Sequence, residues 1–100
     1  MTADLERRVL YVLALLGPGE VVSYGDVADD AGFAGRARFV GWVLATTDQQ
    51  LPWWRVVNAA GRLVPGNERE QAALLRAEGV TVHDGRVVAA PVGRFSRRRP

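Results

Sequence analysis

The chemistry open to this chain is narrowed first by the side chains it does not have. No cysteine occurs among its 100 residues, and His83 is its one histidine. Thiolate nucleophiles, disulfides and cysteine metal sites are therefore excluded, and a protein-only zinc cage has too few ligands. No Ser/His/Asp set, Cys/His pair or metal-ligand cluster is present to carry catalysis. What remains is aromatic and basic: Tyr24, the adjacent pair Trp53-Trp54, and thirteen positive residues that are all arginine. Such groups act by stacking, apolar contact and forked hydrogen bonds, so the chain reads as a binding protein with no cofactor and no metal.

The arginines are unevenly spread. Residues 1–30 carry Asp4, Glu6, Glu20, Asp26, Asp29 and Asp30 against Arg7 and Arg8, a net charge of −4, whereas the remainder carries eleven arginines against five acids, a net +6. Guanidinium forks match phosphates and base edges, so the basic part is the expected partner side. The codon usage of a GC-rich genome gives the same absence of lysine, and composition alone supports nucleic acid only weakly.

These residues have to be positioned by a short chain that is 48% apolar, enough for a single small domain with one core. Leu5, Val9, Val12, Leu13 and Leu16 recur at helical spacing and predict a core helix from Asp4 to Leu16, stopped by Gly17-Pro18-Gly19. Ser23 with Asp26 three residues on forms a variant of the capping box and predicts a short helix ending at Gly32. After the turn Gly32-Phe33-Ala34, a second helix is expected over 35–46, with Ala37, Val40 and Leu44 on one face and Arg38 and Trp42 on another. The two read as a helix-turn-helix. Arg55 to Val64 predicts a short β excursion about Ala59-Ala60-Gly61. Asn67 is placed to cap a helix over 68–77, and Asp84-Gly85 predicts a hairpin between Val80-Thr81-Val82 and Arg86-Val87-Val88. The expected fold is α+β, mostly helical: one domain over 1–93 with a winged-helix-like helix-turn-helix core and a small C-terminal β-hairpin, then a basic, flexible tail over 94–100.

Four segments in order add a more specific signal: Val22-Ser23-Tyr24-Gly25-Asp26-Val27-Ala28, Ala37-Arg38-Phe39-Val40-Gly41, Pro52-Trp53-Trp54-Arg55-Val56-Val57-Asn58 and Leu74-Leu75-Arg76-Ala77-Glu78-Gly79-Val80. Together they resemble the DNA-binding domain of the O6-alkylguanine-DNA alkyltransferases, from about Val9 to Val88. In that family a Pro-Cys-His-Arg-Val motif supplies the cysteine that accepts the alkyl group. The match puts Trp53 at the cysteine position and Trp54 at the histidine. Alkyl acceptance needs a thiolate and a group that deprotonates it, and indole offers neither. Tryptophan at the nucleophile position resembles the alkyltransferase-like subfamily, which is non-enzymatic; Trp54 departs from that subfamily too, whose motif keeps the histidine.

The resemblance implies a role for each matched residue. Arg38, carried on the second helix into the minor groove, is the finger that enters the duplex where a flipped nucleotide was; by spacing alone it reads as a solvated helix arginine. Tyr24 crowds the phosphate of the target nucleotide and favours its rotation, although pattern alone favours a core tyrosine. Ser23 caps a helix and is a second phosphate contact, and Gly41 permits close approach of a backbone or base edge. Trp53, Tyr24, Val64 and Pro65 are expected to line the alkylguanine pocket, while Trp54, Arg55, Asn58 and Glu78 support it. Trp53 and Trp54, read as part of an extended segment, should point to opposite sides. Arg62 and Arg69 are the nearby candidates to sense the guanine, and neither aligns cleanly.

The implied function is recognition of O6-alkylguanine in duplex DNA by nucleotide flipping, with nucleotide excision repair proteins as further partners. A helix-turn-helix transcription regulator is the alternative, and it predicts palindromic preference and a dimer surface where a lesion binder is expected to be a monomer. The apolar run from Val9 to Leu16 is too short to span a bilayer, so the expected location is cytoplasmic, nucleoid-associated when DNA is bound.

Overall fold

The computed structural model describes residues 2–96. Helix α1 (Thr2–Ala14) starts and stops two residues earlier than its apolar period predicts. Leu5, Val9, Leu13 and Leu16 are nevertheless all buried. The end shifts because Leu15 and Leu16 donate their N–H groups to Val12 and Leu13, three residues back, which tightens the last turn.

Strand β1 (Glu20–Ser23) leads into α2 (Tyr24–Asp30), and α3 (Ala37–Thr46) follows across a turn that begins at Gly32 with φ +88°. The capping box at the start of α2 is complete: Ser23 Oγ accepts from Asp26 N at 3.0 Å, and Asp26 Oδ2 accepts from Ser23 N at 3.0 Å. Helix α3 buries Val40 and Val43 fully and Ala37 and Leu44 only in part, a face rotated slightly from the expected one.

A three-residue 3-10 turn, Trp53–Arg55, precedes β2 (Val56–Val57). Of the β excursion expected after Arg55, only these two residues form a strand, and they run parallel to β1 with Val22 beside Val56 and Ser23 beside Val57. Arg62 contributes a lone antiparallel bridge to Arg86. On the far side of β1, β5 (Val92–Gly93) pairs parallel with Glu20 and Val21. Gly93 has φ +95°, and a Cβ there would collide with the Val21 carbonyl oxygen, so this pairing requires glycine.

Helix α4 (Glu68–Ala77) has the predicted bounds, but Asn67 makes no side-chain capping bond. The hairpin of β3 (Thr81–His83) and β4 (Arg86–Ala89) turns at Asp84-Gly85, both with positive φ. Four helices with short strands give the mostly helical α+β fold, and the core has two halves. Val22 and Val56 face the half built by α1, α2 and α3; their neighbours Val21 and Val57 face the half built by α4 and the hairpin. Alternation along two paired strands thus joins both halves into one domain.

The expected tail does not begin at Arg94. Arg94 holds Asp26 through two 2.9 Å bonds, and Phe95 packs against the α4 half of the core; burial thus extends the fold to Ser96. The rest of that segment, 97–100, lies outside the described residues. Among the described residues no helix is long and apolar enough to cross a membrane.

Candidate nucleic-acid interface

Four separate segments close around one cavity. Tyr24 opens α2, Gly41, Leu44 and Ala45 lie on α3, Trp53 opens the 3-10 turn, and Val64 and Asn67 come from the loop before α4; together they line 340 Å³. That is the size at which sites for small ligands begin. Tyr24 is half-buried against the helical core, and burial pushes its hydroxyl pKa above the ordinary tyrosine value. The ring therefore stays a neutral phenol with a wet edge. A Cβ added at Gly41 would meet only Tyr24 Cε1, at 4.0 Å. Packing within the protein does not demand glycine there; the open space beside it is part of the cavity.

The two tryptophans are not extended. Their 3-10 turn sets the rings edge to face, with centroids 6.2 Å apart and planes at 88°, so Trp53 reaches the cavity while Trp54 packs against the α4 half of the core. Trp54 does more than pack. Its indole Nε1 donates to Glu78 Oε2 at 2.9 Å. The same carboxylate accepts from Arg55 Nε at 3.0 Å and Nη2 at 2.6 Å, and from the Gly19 backbone at 2.8 Å. Arg55 Nη1 then reaches the Leu16 carbonyl at 2.8 Å, at the end of α1. The Arg55 hydrogen bonds above all, with those of Gly19 and Trp54, hold the Glu78 pKa at about 2 against the opposing effect of burial. Glu78 thus gathers two side chains of the tryptophan motif, Trp54 and Arg55.

Gln71 was not anticipated. It is fully buried on α4, its Nε2 donates to the carbonyls of Trp54 and Val56 at 3.1 Å each, and its Oε1 accepts from Val64 N at 2.7 Å. One amide thus ties the tryptophan turn to the loop that carries Val64. A glutamine at an apolar position of α4, one turn before Leu75, was the available signal.

The family model described as 6-O-methylguanine DNA methyltransferase, DNA binding domain, matches residues 4–80. The chain belongs to this family. A DNA base-flipping protein of Vibrio parahaemolyticus is 35% identical over 81 residues, 77% of this chain and 81% of the relative. One of Escherichia coli is 44% identical over 81 residues, 76% of this chain; the match spans 62% of that relative, less than two thirds of its length. The solved structure of S. pombe Atl1 in complex with damaged DNA containing O6-carboxymethylguanine superposes with a TM-score of 0.72 at 26% identity, covering 81% of each chain.

Within this DNA-binding domain the other sequence-predicted residues fall into three groups. Arg38 stands exposed on α3, one turn before Gly41, and has no ion-pair or hydrogen-bond partner among the described residues. Trp42, four residues on, is 50% exposed beside Phe39, an outward aromatic on the same face. Tyr24, Gly41, Trp53 and Val64 meet at the cavity.

Three expectations change. Ser23 is 1% exposed, with its N–H committed to Asp26 and its hydroxyl to the α2 cap, so it is structural and offers no phosphate contact. Pro65 is exposed and outside the cavity lining, where Asn67 takes part instead. Asn58, expected to support the pocket, closes its own turn instead: its Oδ1 accepts from Ala60 N at 3.0 Å and Arg62 N at 2.8 Å. Arg62 lines a separate cleft on the hairpin with His83, Asp84, Arg86 and Val88, and neither it nor Arg69 lines the cavity.

Proposed function

We propose that the chain binds duplex DNA carrying O6-alkylguanine, turns the modified nucleotide out of the stack and holds it without removing the alkyl group. One observation carries the reading: Tyr24, Gly41, Trp53 and Val64 meet in a single cavity, lined in part by a helix whose outward face presents Arg38, without a partner among the described residues. A modified base buried in a duplex is read only after extrusion, which costs a few kcal/mol of unstacking. Arg38 fills the vacated space, and Tyr24, from the cavity lining, crowds the target phosphate. Trp53 and Val64 then give the substituent an apolar wall.

Trp53 and the absence of cysteine from the sequence support binding without transfer, because a thiolate is the group that would attack the alkyl carbon. The held lesion is then a signal, and we assign the next step to nucleotide excision repair proteins that meet a monomer on opened DNA in the cytoplasm. A fluorescent base analogue at the target position tests the reading: emission rises when the protein binds, and mass spectrometry after incubation with O6-methylguanine duplex returns an unchanged protein mass. A quenched analogue on bound duplex contradicts flipping; a mass gain of one methylene contradicts binding without transfer.

A further inference from the structure

Trp53 and Leu44 face two cavities. A second cavity, of 390 Å³, shares both residues with the one described and is completed by Leu51, Trp54 and the polar segment Thr47, Asp48, Gln49 and Gln50 after α3. The first is lined mainly by apolar groups and the second mainly by polar ones. In the polar segment Thr47 Oγ1 accepts from Gln49 N at 3.1 Å, and Asp48 has no cationic partner among the described residues. A carboxylate with no counter-charge among the described residues therefore stands at a cavity that shares one indole and one leucine with the candidate base pocket.

We infer that this second cavity is a subsite for the distal part of long O6 substituents, and that Asp48 determines which are accepted. The inference rests on the lesion-binding reading above. A methyl group ends against the Trp53-Leu44 wall, whereas a substituent with two or more further heavy atoms has to pass it and enters the polar space. There a hydroxyl finds carboxylate and amide oxygens to donate to, and an anionic substituent meets the Asp48 charge. The favoured class is neutral, hydrogen-bonding O6-alkylguanines; the disfavoured class is anionic ones of the same length.

The test compares binding to otherwise identical duplexes carrying guanine, O6-methylguanine, O6-(2-hydroxyethyl)guanine or O6-carboxymethylguanine. The wild-type chain binds hydroxyethyl at least as tightly as methyl and binds carboxymethyl roughly three- to tenfold more weakly than hydroxyethyl, the size of one charge repulsion screened by water. Asp48→Asn removes the gap between carboxymethyl and hydroxyethyl, while Glu68→Gln, which deletes an acid outside both cavities, leaves that ratio unchanged. Using the ratio cancels the general gain in DNA affinity that follows loss of any negative charge. If methyl is preferred over guanine but hydroxyethyl and carboxymethyl bind alike in wild type and in Asp48→Asn, the subsite is overturned and lesion binding stands. If methyl is not preferred over guanine, both fall.

Discussion

Trp54 and Glu78 are joined by a 2.9 Å hydrogen bond from indole to carboxylate. By its resemblance to the alkyltransferase motif, Trp54 stands at the histidine position, and Glu78 anchors its indole N–H. Trp54→Phe keeps an aromatic ring in the core but deletes the N–H, and stability should fall by about 1–2 kcal/mol. Glu78→Ala should cost about 3–5 kcal/mol, since it leaves the Arg55 guanidinium, paired at 2.6 Å, without its counter-charge. Thermal denaturation of both variants checks the order, and equal melting temperatures would contradict the hub.

The depressed pKa of Glu78 also fixes a pH dependence. In the unfolded chain the carboxyl titrates near its ordinary 4.5, while in the fold it titrates at about 2. Below the ordinary value the unfolded state binds more protons, so the stability contributed by Glu78 is fully present above about pH 5 and drains away as pH falls toward 2. Asp26, lowered chiefly by its hydrogen bond to Arg94, shifts in the same direction. Urea midpoints taken between pH 6 and 2.5 should fall steadily, and Glu78→Gln should flatten that fall. A variant profile parallel to wild type would contradict this assignment.

Gly41→Ala separates folding from binding. A helix-interior glycine destabilises by about 1 kcal/mol relative to alanine, and the new methyl would find only Tyr24 Cε1, at 4.0 Å. The variant should melt roughly 4–8 °C higher than wild type. Lesion affinity should nevertheless drop about tenfold, because the methyl takes space in the cavity. A variant that is more stable and binds as well would show that the cavity beside Gly41 is not where the base sits.

Arg38→Ala and Trp53→Ala should fail differently. The first leaves the opened stack unfilled, and binding to lesion duplex should fall by one or two orders of magnitude, about the cost of unstacking. The second removes a wall worth on the order of 1–3 kcal/mol of contact, so the preference for alkylated over plain guanine shrinks while affinity for plain duplex barely moves. Electrophoretic mobility shifts on the two duplexes read both. Wild-type lesion binding by both variants would contradict the flipping geometry.

The helical part of the fold was legible because its signals are local. The α1 period, the Ser23-Asp26 box and the Asp84-Gly85 turn each act within a few residues, and each fixes its own element. What could not be read was set by partners far away in sequence. Val56-Val57 becomes a parallel strand only because β1 lies beside it, and Arg94 and Phe95 are ordered by Asp26 and the α4 half of the core. The site divides in the same way. Motif matching brought out Tyr24, Gly41 and Trp53, which share the cavity, but it also offered Ser23 and Pro65, whose types fit and whose burial or position does not. The bond from Trp54 to Glu78 and the three bonds of Gln71 depend on α4 folding back on the tryptophan turn, which no spacing encodes.

The most direct measurement is an anisotropy titration of the full chain against two duplexes that differ only at one guanine, plain in one and O6-methylated in the other. A cavity lined by Tyr24, Gly41, Trp53 and Val64 that holds a flipped base should give at least tenfold tighter binding to the methylated duplex, the worth of about 1.4 kcal/mol of added contact. Indistinguishable affinities for the two duplexes would contradict the account.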